Sequence, residues 1–180
     1  MSGCTCGIRL ARNASMENQT NPSAIDSWNA STGWFNNQLT FDNIVCNGGE
    51  VGIWASCMGA TFNNITCQNQ LTDGETNSVL PSDVKGTGMW LEGGGTATDT
   101  FNNVLINYYV EDTLNALIVK EHDNLVISGW FTQGIAGANT LLDVDGSTVT
   151  ISGQTGQTSG FTNRVVANNS HIVSNGTLAA

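Results

Sequence analysis

TFNNITCQN, at residues 61–69, is a word without charge that joins a Phe, two adjacent Asn and an Ile-x-Cys pair. Similar words stand before it, TFDNIVCNG at 40–48, and after it, TFNNVLINY at 100–108. Aligned on the apolar residue after the Asn, the chain places Ile44, Ile65, Val104, Leu125, Val149 and Ile172 in one column, with steps of 21, 39, 21, 24 and 23 residues. Recurrence at a spacing of about 20 to 50 residues is the mark of a solenoid, in which each repeat buries its apolar face on the next. The step of 39 reads as one coil plus an insertion, placed at Leu71 to Gly88.

Two residues on lies a second column: Cys46, Cys67, Ile106, Ile127, Ile151 and Ser174. Residues two apart on a strand face the same way, so both columns are expected to point inward. Three residues before the first column stand Phe41, Phe62, Phe101 and then His122, read as a stack of rings. One residue before it stand Asn43, Asn64, Asn103 and Asn124, read as an amide ladder at the strand spacing. A second strand family lies between these: VGIWASC (51–57), GMWLEG (88–93), ALIVKE (116–121), TLLDVDG (140–146) and NRVVAN (163–168). Two strand families recurring once per coil predict an all-β parallel β-helix of about six coils over 38–180. An antiparallel sandwich predicts hairpin turns and unrelated neighbouring strands instead. Residues 1–37 are assigned as a cap, an anchor or a first coil, with GIRLAR (7–12) as a further strand.

Composition narrows the partners. The 180 residues carry 5 Lys and Arg against 15 Asp and Glu, a net charge of -10. Five scattered cations supply no basic stripe, which argues against nucleic acid and against an anionic membrane surface. No run approaches the roughly 20 apolar residues of a membrane span, and the opening MSGCTCGIRLAR lacks the apolar core of a secretory signal. Export is therefore expected by lysis, by an unusual route or as part of a particle. The 21 Gly and only 2 Pro suit short strands and tight turns. Five Cys (Cys4, Cys6, Cys46, Cys57, Cys67) are an odd number, so core thiols are expected rather than a fully paired framework, and Cys4-x-Cys6 has no metal-site spacing. No metal or cofactor is predicted. Six sequons (Asn13, Asn18, Asn29, Asn64, Asn168, Asn175) match what an Asn- and Thr-rich chain produces by chance.

The words TFDNIVC, TFNNITC, TFNNVLI and HDNLVIS resemble the right-handed parallel β-helix of the pectin-lyase-like superfamily, which includes bacteriophage tailspikes. The resemblance covers about Gln38 to Thr177 and lives in repeat texture, so it speaks to fold more than to function. It implies a homotrimer and a place in a virus particle. Enzymes of the superfamily would need acidic calcium ligands with an Arg or Lys base, or a set of paired acids. The pectate-lyase and polygalacturonase motifs are absent from this chain.

Asp143 and Asp145 flank an inward Val144, about 7 Å apart at two strand steps, and are the candidate catalytic carboxylates. Glu121 and Asp123 are placed a coil away. Solvated acids at a strand end beside Gly146 are the preferred explanation. His122 and His171 carry no specific signal. Trp54 and Trp90, in comparable positions of neighbouring coils, are the candidate carbohydrate-binding pair, since flat rings suit sugars, with packing as the rival explanation for all five Trp. The residues between the two inward columns, Val45, Thr66, Leu105, Val126, Thr150 and Val173, form an outward stripe with four apolar members. Such a stripe predicts a partner, assigned as the trimer interface; an N-terminal segment folded back over it is the alternative. The resulting expectation is a non-enzymatic virion protein, either a capsid decoration or a tailspike-like adhesin that contacts other virion proteins and host surface polysaccharide. A polysaccharide lyase or glycoside hydrolase is the alternative.

Overall fold

The computed structural model describes residues 6–10, 36–71, 85–92, 102–120, 124–157 and 160–175. Every regular element among these residues is a β-strand. A first sheet contains, in spatial order, β1 (Cys6–Leu10), β4 (Val51–Ala55), β7 (Thr87–Glu92), β9 (Asn115–Lys120), β11 (Ala138–Asp145) and β13 (Phe161–Asn168). A second contains β3 (Thr40–Asn47), β6 (Thr61–Gln68), β8 (Asn102–Glu111), β10 (Asn124–Gln133), β12 (Thr148–Gln157) and β14 (His171–Ser174). β2 (Asn36–Asn37) and β5 (Cys57–Met58) form a small third sheet. Neighbouring strands pair in parallel, and the chain passes from one large sheet to the other and back. The fold is a parallel β-helix, as the two recurring strand families predict. All five segments of the second family appear as strands of the first sheet, and GIRLAR contributes its edge strand β1.

The second sheet is bent. Near the middle of its strands stands a residue with left-handed backbone: Asn43 (φ 57°), Asn64 (φ 52°), Asn107 (φ 51°), Gly129 (φ 74°) and Gly153 (φ 70°). Asn and Gly are the residue types that enter this region at least cost, which is why the words recur around Asn. The corner resets the inward and outward alternation. Positions three apart across it, Phe62 and Ile65 or Leu105 and Tyr108, both point inward.

Four inward columns follow from the register, the first of them Asn103, Leu125, Val149 and Ile172. Phe41, Phe62, Leu105, Ile127 and Ile151 make the second; Ile44, Ile65, Tyr108 and Trp130 the third; Cys46, Cys67, Val110 and Thr132 the fourth. The Phe41 and Phe62 rings stack at 5.0 Å, and Tyr108 and Trp130 at 6.2 Å. From the first sheet, Ile53, Met89, Leu117 and Leu142 close the core from the other side. Each such buried side chain contributes about 1.5 to 3 kcal/mol.

This register corrects the sequence-based columns from the third word onward: Leu125, Val149 and Ile172 line up with Asn103 rather than with Ile44 and Ile65, and Ile127 and Ile151 with Phe41 and Phe62 rather than with Cys46 and Cys67. Val104 pairs with Thr61, and Tyr108 takes the place opposite Ile65. The word TFNN at 100–103 imitates the corner motif, but the corner itself uses Asn107, four residues later. Asn103 is instead buried, donating to the Cys57 carbonyl at 2.7 Å and accepting from the Ala60 amide at 2.6 Å. Ile106 consequently faces outward, half-buried, and Asn124 bonds Asn102 at the strand start rather than joining the corner ladder. The Phe column continues through Leu105 and Ile127; Phe101 and His122 lie outside the described residues.

The last first-sheet strand departs from the pattern. Arg164 falls between the partners of Thr140 and Leu142, opposite the fully buried Leu141. A cation at an inward position is a device that discourages another strand from pairing on an exposed edge.

Candidate functional site

The two sheets present chemically different outer faces. The second-sheet strands contain no Lys or Arg, and their acids are Asp42 and Glu111 alone. The outer face of the first sheet carries Glu92, Lys120, Asp143 and Asp145.

On the first sheet, Trp54, Trp90, Ile118, Asp143 and Val166 are successive register partners in one column, and Glu92, Lys120, Asp145 and Asn168 in another two residues on. The catalytic and carbohydrate-binding candidates therefore share one face. The Trp54 indole donates to Glu92 Oε2 at 3.2 Å, and Lys120 Nζ lies 4.6 Å from the Trp90 ring centroid. The two indoles tilt by 52° at 6.2 Å. Burial pushes the Asp143 carboxyl above the ordinary carboxylate value; the Lys120 ammonium opposes this and the Asp145 carboxylate adds to it. Val144 between them is fully buried, as expected.

Trp54 is 6% and Trp90 5% exposed. Rings so covered offer no open platform to a sugar, and packing accounts for them. Glu121, His122 and Asp123, like Trp28, Trp34 and Cys4, lie outside the described residues, as do the sequons at Asn13, Asn18 and Asn29. Most of the Leu71 to Gly88 insertion does too. Its end is anchored: Lys85 Nζ meets the buried Glu50 Oε1 at 3.0 Å, and the Gly86 amide donates to the Glu50 carbonyl at 2.7 Å. Among the described residues, no group of three or more His, Cys, Asp or Glu is placed to hold a metal ion. No helix among them is long and apolar enough to cross a membrane.

On the second sheet, the corner divides the outward residues into two columns. Before it stand Val104, Val126, Thr150 and Val173; after it stand Val45, Thr66, Tyr109, Phe131 and Thr155. Val45 is 67% exposed, Val126 38% and Val173 37%. Leu105 leaves the predicted stripe: it pairs with Phe62 and is fully buried, because the corner at Asn107 shifts the alternation. Tyr109 and Phe131, which the word alignment missed, stack at 4.8 Å with a 5° interplanar angle. Their faces cover each other along the stack, so ring edges point outward. A second period of 22 residues, shared by Asn107 with Gly129 and Tyr109 with Phe131, is the signal that would have located them.

The two acids of this face are occupied. Glu111 Oε2 accepts from the Tyr109 hydroxyl and from Gln68 Nε2, each at 2.7 Å. Asp42 Oδ1 accepts from Asn63 at 2.9 Å and Asn64 at 3.4 Å. Compared with known protein families, curated proteins and solved structures, the chain gives no match.

Proposed function

We propose that the protein is a non-enzymatic structural component of a virus particle, a tailspike-like β-helix of the pectin-lyase-like kind that assembles as a parallel homotrimer through the outer face of its second sheet. The observation that carries this reading is Val45, 67% exposed, in one column with the outward edges of Tyr109 and Phe131. In a chain of net charge -10, copies approach at least cost across a face that holds few charges. Six strands at about 4.8 Å, with some 30 Å across the bend, give each copy an area of about 700 Å². That is of the order of the roughly 800 Å² per partner of a stable interface. The bend supplies two flanks with different side chains. One flank of each copy meeting the other flank of the next is a heterologous contact, which closes into a three-membered ring when successive copies are related by a third of a turn.

In this arrangement the charged first sheet faces outward, toward other particle proteins or host surface glycans. The test is the paired substitution Val45→Asp and Phe131→Asp. The variant is expected to sediment as a single chain with an unchanged strand-type circular dichroism spectrum. A native protein that already sediments as a single chain contradicts the proposal.

A polysaccharide-cleaving enzyme is the second reading, favoured by the raised Asp143 carboxyl beside Asp145 and Lys120. Incubation with acidic and neutral polysaccharides decides it. New reducing ends or unsaturated sugars that vanish in Asp143→Asn support the enzyme, and their absence supports the structural reading.

A further inference from the structure

The fourth inward column opens with two cysteines. Cys46 and Cys67 are direct register partners on β3 and β6, so their Cα atoms are separated by about one strand spacing, 4.8 Å. That falls inside the range of about 4.4 to 6.8 Å found across disulfides. Both side chains point into the coil, toward the facing sheet. A Cβ built on Gly7 would lie 2.9 Å from Cys46 Sγ, and one on Gly52 2.7 Å from Cys67 Sγ. Glycine on the facing strands thus makes room for each sulfur. The two thiols already interact: a hydrogen bond from Cys67 holds the Cys46 thiol below its ordinary value, against the opposing effect of burial. Burial, with Cys67 close by, raises the Tyr108 hydroxyl above its ordinary value, and this hydroxyl donates to the Ala116 carbonyl at 2.7 Å.

Cys57 provides an internal contrast. It is buried on β5, its register partner is Asn36, and burial pushes its thiol up to about 12. Such a group supplies almost no thiolate at neutral pH.

We propose that Cys46 and Cys67 are a redox pair, which a small organic disulfide converts into a covalent staple between two neighbouring coils. The Cys46 thiolate attacks one sulfur of the small disulfide, forming a mixed disulfide and releasing one small thiol. Cys67 then attacks the Cys46 sulfur, forming the Cys46–Cys67 bond and releasing the second small thiol. The protein loses two hydrogens and two electrons, and the oxidant gains them as its two thiols. Cys46 is only 7% exposed, so exchange proceeds through opening of the coil edge and is slow. The bond closes a short loop of chain, tying together the coils on either side of Glu50. It gives the particle protein a form that resists unfolding outside a reducing cytosol.

The test uses the full chain, incubated with glutathione disulfide until exchange is complete, then alkylated and mapped by mass spectrometry. The expected product is the Cys46–Cys67 cross-link with Cys57 alkylated, and a rise in Tm of the order of 10 °C. Reduction should reverse both. The Cys46→Ser variant, similar in size, is expected to lose the cross-link and the rise together. Thiols at 46 and 67 that stay reduced at equilibrium would overturn the proposal. So would cross-links that run instead to Cys4, Cys6 or Cys57, or a staple that survives in Cys46→Ser.

Discussion

Asn107 Nδ2 donates to Asn64 Oδ1 at 3.0 Å, and both residues hold left-handed backbone, with φ of 51° and 52°. Asn64 in turn donates to Asn43 Oδ1 at 3.2 Å, so three coils share one amide ladder at the corner. Backbone and side chain are both selected there. Asn64→Ala is expected to cost about 2 kcal/mol, from an L-residue forced into that region and the lost bonds. Asn64→Gly keeps the backbone and is expected to cost less than half as much. Urea unfolding of the two variants checks the order, and equal losses would show that the conformation contributes nothing.

Glu50 and Lys85 join the turn between β3 and β4 to the end of the 71–88 segment, with Glu50 only 1% exposed. Removing the cation leaves a buried carboxylate that has lost its ion pair. Lys85→Met is expected to destabilise by about 3 kcal/mol. The double variant Lys85→Met with Glu50→Gln is expected to recover part of that loss, because the buried charge goes too. A double-mutant cycle from denaturant midpoints measures the coupling.

Asp143 gives a pH-dependent prediction. Its carboxyl is raised in the folded chain chiefly by burial, so the fold binds a proton more readily there than the unfolded chain does. Ionisation at this site therefore opposes folding, and stability falls as pH rises through the carboxylate range. Asp143→Asn is expected to melt above the native protein at pH 7, with the difference shrinking as pH drops below the ordinary carboxylate value. An advantage that is the same at both ends of the range contradicts this origin.

Tyr109 and Phe131 stack on the outer face while the Tyr109 hydroxyl serves Glu111. Phe131→Ala removes the ring contact and, on the proposed assembly, interface area. It is expected to lower the Tm in a way that depends on protein concentration. A loss that is the same at all concentrations would place the effect within one chain.

Much of this architecture was legible from residues alone. The words at 40 and 61 align in the structure as they do in the sequence, pairing Phe41 with Phe62, Ile44 with Ile65 and Cys46 with Cys67. The neighbouring pair Trp54 and Trp90 was likewise found in register. The third word misled because Asn103 and Asn107 are both asparagines and only one turns the corner. Distinguishing them requires knowing which one finds buried partners, here the Cys57 carbonyl and the Ala60 amide. The error displaced Leu105 from the core to the surface and hid Tyr109 and Phe131. On the first sheet, the common column of Trp54, Trp90 and Asp143 could be anticipated only loosely, because strand boundaries do not state register. The near burial of the outward indoles has no sequence signal at all, since it depends on what lies over them.

The mass of the native protein in solution, measured by light scattering over a range of concentrations, bears most directly on the account. A species of about three times 19.0 kDa is predicted, with the second-sheet faces turned toward one another. A stable species of 19.0 kDa, with Val45 and the edges of Tyr109 and Phe131 open to water, would contradict it.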